Sequence, residues 1–314
     1  MTESLPFSPK LDVISENIIY LLSIDSRQTV SDLAKTLTLN RKIVENRVKK
    51  IFHNGYVKHL TISNEKKRIR FTMLIKLKEI DNQMSEKLKQ LPSLIKLKQT
   101  FGIYDLSALF DVYSTDEMEK TVAHVSNMLH NKLQTYDVIL HDFEDTMGYK
   151  SFCHNSAFLS YYRMLKPAPI ALSEEEEIVL ELMKGETTIS MKELVAQSNM
   201  SFSTVKGIME HLKENQIVRH SLDPDYTKLQ LEFHNMFIKI KVGKREQFEK
   251  YLIAYPRIHW IKKCTSGKWD YILSIAARSL NELAEITKEI RSQNKNIILD
   301  ETTLVSQIWE TRRR

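Results

Sequence analysis

Residues 32–59, DLAKTLTLNRKIVENRVKKIFHNGYVKH, lie over residues 193–220, ELVAQSNMSFSTVKGIMEHLKENQIVRH, without a gap. At one constant offset, Leu33 meets Leu194, Leu39 meets Met200, Val44 meets Val205, Val48 meets Met209, Ile51 meets Leu212 and Val57 meets Val218. Further on, MLIKLK (73–78) recurs as MFIKIK (236–241), Pro92 as Pro256, and FGIYDL (101–106) as SGKWDY (266–271), the offset drifting slowly upward. Duplication followed by small insertions leaves such a drift, so the chain reads as two copies of one two-part unit whose function it inherits.

The composition is that of a globular protein: 314 residues, 42% apolar, with only seven Gly and seven Pro and no low-complexity tract. No signal-type N-terminus and no run of about 18 apolar residues is present, which predicts a cytoplasmic protein without a membrane partner. Cys153 and Cys264 stand in different copies without metal-type spacing. Neither a disulfide framework nor a bound metal or other cofactor is therefore expected.

Charge is unevenly spread over a net +6. Residues 27–78 hold 14 Lys and Arg against 3 Asp and Glu, leaving the remainder acidic. A one-signed block in a folded segment favours a polyanionic partner, here double-stranded DNA. The block coincides with a helix-turn-helix pattern. Leu11, Ile14, Ile18, Leu21 and Leu22 repeat at helical spacing over 11–23. A second helix opens at Thr29 with Asp32 three residues on, a capping-box form that Ser190 and Glu193 repeat. A third runs from after Asn40 to about Asn54, stopped by Gly55.

Around that third helix, Val44, Val48 and Ile51 form the apolar stripe, which leaves Lys42, Asn46, Lys49, Lys50 and His53 outward, flanked by Arg41 and Arg47. Asn suits adenine, and Arg or Lys suits guanine and phosphate. The following strand, basic turn (Lys66, Lys67, Arg68) and strand read as a wing for the phosphate backbone. The second copy has Gly207, Ile208 and Glu210 where the first has Asn46, Arg47 and Lys49, and opens with four consecutive glutamates, 174–177. It is expected to contribute structure more than DNA contact.

After each helix-turn-helix the order βαββαβ is read, the order of a ferredoxin-like sandwich. The expected fold is thus α+β: a winged helix-turn-helix at 1–66, a ferredoxin-like domain at 67–160, a Pro-containing linker at 161–172, a second winged helix-turn-helix at 173–228 and a second ferredoxin-like domain at 229–314.

The NRVKKI helix (46–51), NGYV (54–57) and the SGKWDY turn inside a βαββαβ module make the chain resemble, twice over, the leucine-responsive regulator family (Lrp/AsnC), whose sensing module is called RAM. The resemblance implies a sequence-specific transcription regulator. Its RAM modules would dimerise, here as an intramolecular pseudo-dimer that can associate into a homodimer, and would bind an amino acid or related effector. The effector position carries over to Gly267, Asp270 and Tyr271, and in the first copy to Gly102, Asp105 and Leu106. Gly and Asp are also ordinary hairpin-turn residues, so a purely structural role is the alternative at these positions.

No P-loop, GxGxxG, GxSxG or HExxH is present, and the ten histidines share no repeated partner. The expectation from motifs is a non-enzymatic protein. The alternative within the same resemblance is a fused siroheme-decarboxylase-like enzyme. Its HNYLR-like strand corresponds to IHWIKKC (258–264), where only His259 is retained. An assembly adaptor that reads neither DNA nor ligand is the third class.

Overall fold

A computed structural model describes residues 11–63, 69–80, 82–146, 148–161, 171–183, 189–215 and 217–311. The first copy comprises α1 (Val13–Ile24), α2 (Val30–Leu37), α3 (Arg41–His53), β1 (Val57–Ser63), β2 (Ile69–Leu77), α4 (Asn82–Lys89), β3 (Leu94–Phe101), β4 (Leu106–Val112), α5 (Thr115–Met128) and β5 (Leu133–Thr146). Short 3-10 turns at Lys150–Phe152 and Ser156–Tyr161 follow. The second copy repeats the order with α6 (Glu174–Met183), α7 (Met191–Ser198), α8 (Phe202–Glu214), β6 (Val218–Pro224), β7 (Glu232–Ile240), α9 (Arg245–Ala254), β8 (Ile258–Cys264), β9 (Tyr271–Ala277), α10 (Leu280–Gln293) and β10 (Ile298–Thr311).

Contacts divide the chain by kind of module rather than by copy. One compact unit joins 1–64 to 147–232, and the other joins 65–146 to 233–314. In the first unit the local signals act where the sequence places them. Thr29 accepts the Asp32 N–H at 3.1 Å, Asn40 accepts that of Lys42 at 2.8 Å, and Ser190 with Glu193 completes a reciprocal capping box. Thr38 and Asn199, at equivalent places in the two copies, both take φ near 54° at the turn before α3 and α8, and Gly55 takes +65° after α3. Val179, Leu180, Met183, Leu194, Val205 and Leu212 form the core of the second three-helix set.

The expected wings are corrected. β1 pairs with β6 of the other copy, from Val57 opposite Pro224 to Ser63 opposite Val218, as an antiparallel two-stranded ribbon. β2 cannot serve as the outer wing strand because both its edges are already hydrogen-bonded, to β4 and to β5. Lys66, Lys67 and Arg68 lie outside the described residues.

The second unit corrects the expectation of two separate ferredoxin-like sandwiches. Its eight strands close into one barrel in the order β10-β3-β4-β2-β5-β8-β9-β7. A four-stranded sheet ending in β3 and β5 has two open edges. Here β5 pairs with β8, and β3 pairs with β10, so each copy covers the edges of the other. One face of the first sheet packs Phe71, Met73, Ile75, Leu94, Leu97 and Phe110 against Val125 and Leu129 of the helical layer. The alternating residues point into the barrel, where Leu74, Ile139, Phe237, Ile272 and Leu304 meet.

Candidate functional site

On α3, Arg41, Lys42, Asn46, Lys49 and Lys50 stand along the side away from the apolar stripe. The face is partly neutralised from within. Glu45 accepts Lys49 at 2.6 Å and lies 3.9 Å from Lys42, and the Lys49 hydrogen bond followed by the Lys42 charge holds its carboxyl below the usual range. Arg47 does not join them: its guanidinium reaches Asp12, the N-cap of α1, at 3.0 Å. On α8 the corresponding side carries Gly207, where an added Cβ would meet no atom within 4 Å, and Glu210, 3.8 Å from Lys206.

The effector-position residues fall at two hairpins. Asp270 accepts the Ile240 N–H at 2.9 Å and lies 3.4 Å from the Lys239 ammonium. Asp105 does the same in the first copy, accepting Leu77 N–H at 2.8 Å and Lys76 at 3.0 Å. Both carboxylates thus fasten a hairpin to the end of β7 or β2. Tyr271 is buried toward the helices and donates to Glu249 at 2.7 Å, its ring edge-on to Phe248. Gly267 takes φ +87° and a Cβ there would stand 3.2 Å from the Val138 carbonyl oxygen, while Gly102, at φ +133°, faces Leu304.

The densest chemistry lies inside the barrel, at the end where β2 and β7 begin. Away from the apolar cluster of Leu74, Phe237 and Leu304, the inward positions turn polar. Lys98 is 6% exposed, with its ammonium 3.5 Å from the Ser306 hydroxyl. Thr72, also buried, meets His141 Nε2 at 3.0 Å, and Arg70 meets the buried Asp111 at 3.4 Å. On the second copy's side, His259 sits in a β-bulge between Ile258 and Trp260. It is fully buried, with Phe233 edge-on to both its ring and the Trp260 ring at 5.1 Å. On the opposite face of β7 from Phe237, outside the barrel interior, His234 accepts the Ser306 N–H at 3.2 Å. Lys262, opposite the inward Ile272, is the counterpart of Lys98 in the second copy.

Bulges re-aim side chains beside functional sites, and that is what frees His259 from strand alternation. Sequence reasoning noted His259 and missed Lys98, Lys262, Arg70, His141 and Trp260. The available signal was a polar or cationic residue at the inward positions of one strand end. It was illegible without the register that makes those positions inward.

No protein-family model matches the chain, and no curated protein matches it. Among the solved structures that match it, some do so over nearly its whole length. The crystal structure of the siroheme decarboxylase NirDL is 13% identical with a TM-score of 0.62, covering 96% of this chain and 93% of that one. Its co-complex with an iron-uroporphyrin III analogue is 14% identical with the same TM-score and coverage. A transcriptional regulatory protein of the AsnC family from Pyrococcus furiosus, 24% identical, covers 41% of this chain and 88% of its own, with a TM-score of 0.35. At such identities the likeness to NirDL is one of fold.

The expectation of a non-enzymatic protein does not stand. The two NirDL structures, which match nearly the full length, are of an enzyme, so this architecture gives no ground for setting catalysis aside. Motif absence misled because the motifs sought belong to other folds. Among the described residues no helix is long and apolar enough to cross a membrane, and no group of three or more His, Cys, Asp or Glu is placed to hold a metal ion.

Proposed function

We propose that the polar end of the barrel receives a carboxylate-bearing tetrapyrrole and that the chain acts on it as a decarboxylase. The observation carrying this reading is the convergence, at one barrel end, of cations, imidazoles and aromatic rings. A planar macrocycle with anionic arms calls for that mixture. Lys98, Lys262 and Arg70 hold carboxylates by charge-assisted hydrogen bonds, and Phe233 and Trp260 supply apolar ring contact. Loss of carbon dioxide leaves a carbon that must take up a proton, and His259 or His141 is the donor in reach of such a ligand. The likeness to siroheme decarboxylase over almost the full chain supports the choice of substrate class. Anaerobic incubation with siroheme tests it: a Soret shift on mixing and product masses lower by carbon dioxide are expected. An unchanged spectrum overturns the reading.

A second reading, DNA binding through α3, is favoured by the row Arg41, Lys42, Asn46, Lys49 and Lys50. If these residues and their neighbours neutralise about five phosphates, log K falls against log salt with a slope of about −4 to −5. A flat titration removes it.

A further inference from the structure

Between α9 and α10 lies a cavity of about 480 Å3, walled by Tyr251 and Tyr255 on one side and by Glu285, Ile286 and Glu289 on the other. The two tyrosine rings stack with centroids 5.4 Å apart. Tyr255 donates its hydroxyl to one oxygen of Glu289 at 2.7 Å and Gln293 donates its amide N–H to the other at 2.9 Å, fixing that carboxylate at the cavity wall with its remaining lone pairs toward the cavity. Arg257 and Glu282 pair at 2.7 Å and neutralise each other at the rim, so Glu285 and Glu289 leave the cavity with two negative charges.

The fold does not demand this wall, because the other copy does without it. Through the offsets set by Pro92 with Pro256 and by the N-caps Ser114 with Ser279, the first copy has Lys87 for Tyr251 and Leu91 for Tyr255. On the facing helix it has Lys120 for Glu285 and His124 for Glu289. The same two-helix scaffold is cationic in one copy and aromatic and acidic in the other. That contrast is chemistry added to one half only.

We propose that this cavity binds a small aliphatic diamine. Ammonium groups are attracted to aromatic faces, and a charged hydrogen bond to each carboxylate completes the recognition. Glu285 and Glu289 are four residues apart on one helix face, about 5–6 Å between their Cβ atoms. An extended four-carbon diamine places its two ammonium groups at a comparable separation, with its methylenes against Ile286 and the tyrosine rings. A monoamine satisfies only one carboxylate.

Isothermal titration of the full chain with 1,4-diaminobutane, and with 1-aminobutane for comparison, tests this at low and moderate salt. Saturable one-to-one binding of the diamine is expected, about tenfold tighter than the monoamine, as for one additional charge-assisted contact. Glu285→Gln, at an exposed position, and Glu289→Gln should each weaken it about tenfold, with urea midpoints measured alongside to confirm that both variants fold. Glu86→Gln, on α4 of the other copy, should leave it unchanged. Heats that never saturate, equal binding of both amines, or equal binding by all variants would overturn the proposal.

Discussion

Arg47 and Lys50 stand three residues apart on α3 and answer to different partners. Arg47 is held by Asp12; burial pushes that carboxyl up, while the Ser15 N–H and Arg47 together take it below its usual value. Arg47→Ala is therefore expected to lower stability by about 0.2–1 kcal/mol, the range of an exposed ion pair, as read by urea denaturation. Lys50→Glu should leave the urea midpoint in place and weaken any DNA binding to all sequences alike. His220 gives a sharper residue-scale prediction. It is buried in the β1–β6 ribbon beside Thr61, and burial, then the Arg27 charge, takes its pKa down to about 4. Its folded value lies below the unfolded value of about 6.5, so the unfolded chain binds the extra proton between the two. Stability is full above about pH 6.5 and is lost as pH falls toward 4. His59, also depressed by burial, acts in the same direction. Melting temperatures from pH 7 to 4.5 should fall, and His220→Gln should flatten the profile.

At the scale of elements, the hairpin between β8 and β9 joins the two copies. Thr265 N–H donates to the Leu140 carbonyl, the Leu140 N–H donates to Ser266, and Gly267 lies against Val138 of β5. Gly243, also at positive φ, has nothing near its Cβ position. Gly243→Ala should cost about 1–2 kcal/mol for the left-handed backbone alone. Gly267→Ala should cost more, because the Val138 carbonyl that an added Cβ would crowd is held by its strand. Calorimetry of the two variants gives the difference. The helix starts at Thr29, Asn40 and Ser190 and the strand orders were legible from local chemistry, since a cap or a two-residue alternation needs only its neighbours. The wing was not. A run such as VKHLTIS looks the same whether it pairs with the next strand or with one in the other half of the chain, and only the saturation of both β2 edges decides it.

For the whole molecule, closure of the barrel from two copies predicts how half a chain behaves. Residues 1–161 alone would expose the β3 and β5 edges, and a second fragment offers the same two edges in reverse. Light scattering should report a homodimer of twice the fragment mass, since unpaired strand edges recruit one another. A monodisperse monomer would mean that each sheet tolerates open edges. In the intact chain the linked copies meet at high effective concentration, which favours closure within one polypeptide.

The sequence by itself determined the duplication, the order of helices and strands in each copy, the caps, and the difference between the basic α3 and the plainer α8. These depend on local periodicity and on comparing one half with the other. Tertiary structure alone decided that the eight strands form one barrel, that β1 joins β6, and that Arg47 serves Asp12. It alone brought Lys98, His141, His259 and Trp260 to one barrel end. The strand outcomes depend on register between segments far apart in the chain, and a shift of one residue would have turned every inward side chain outward; the Arg47 pairing depends on how α3 packs beside the start of α1.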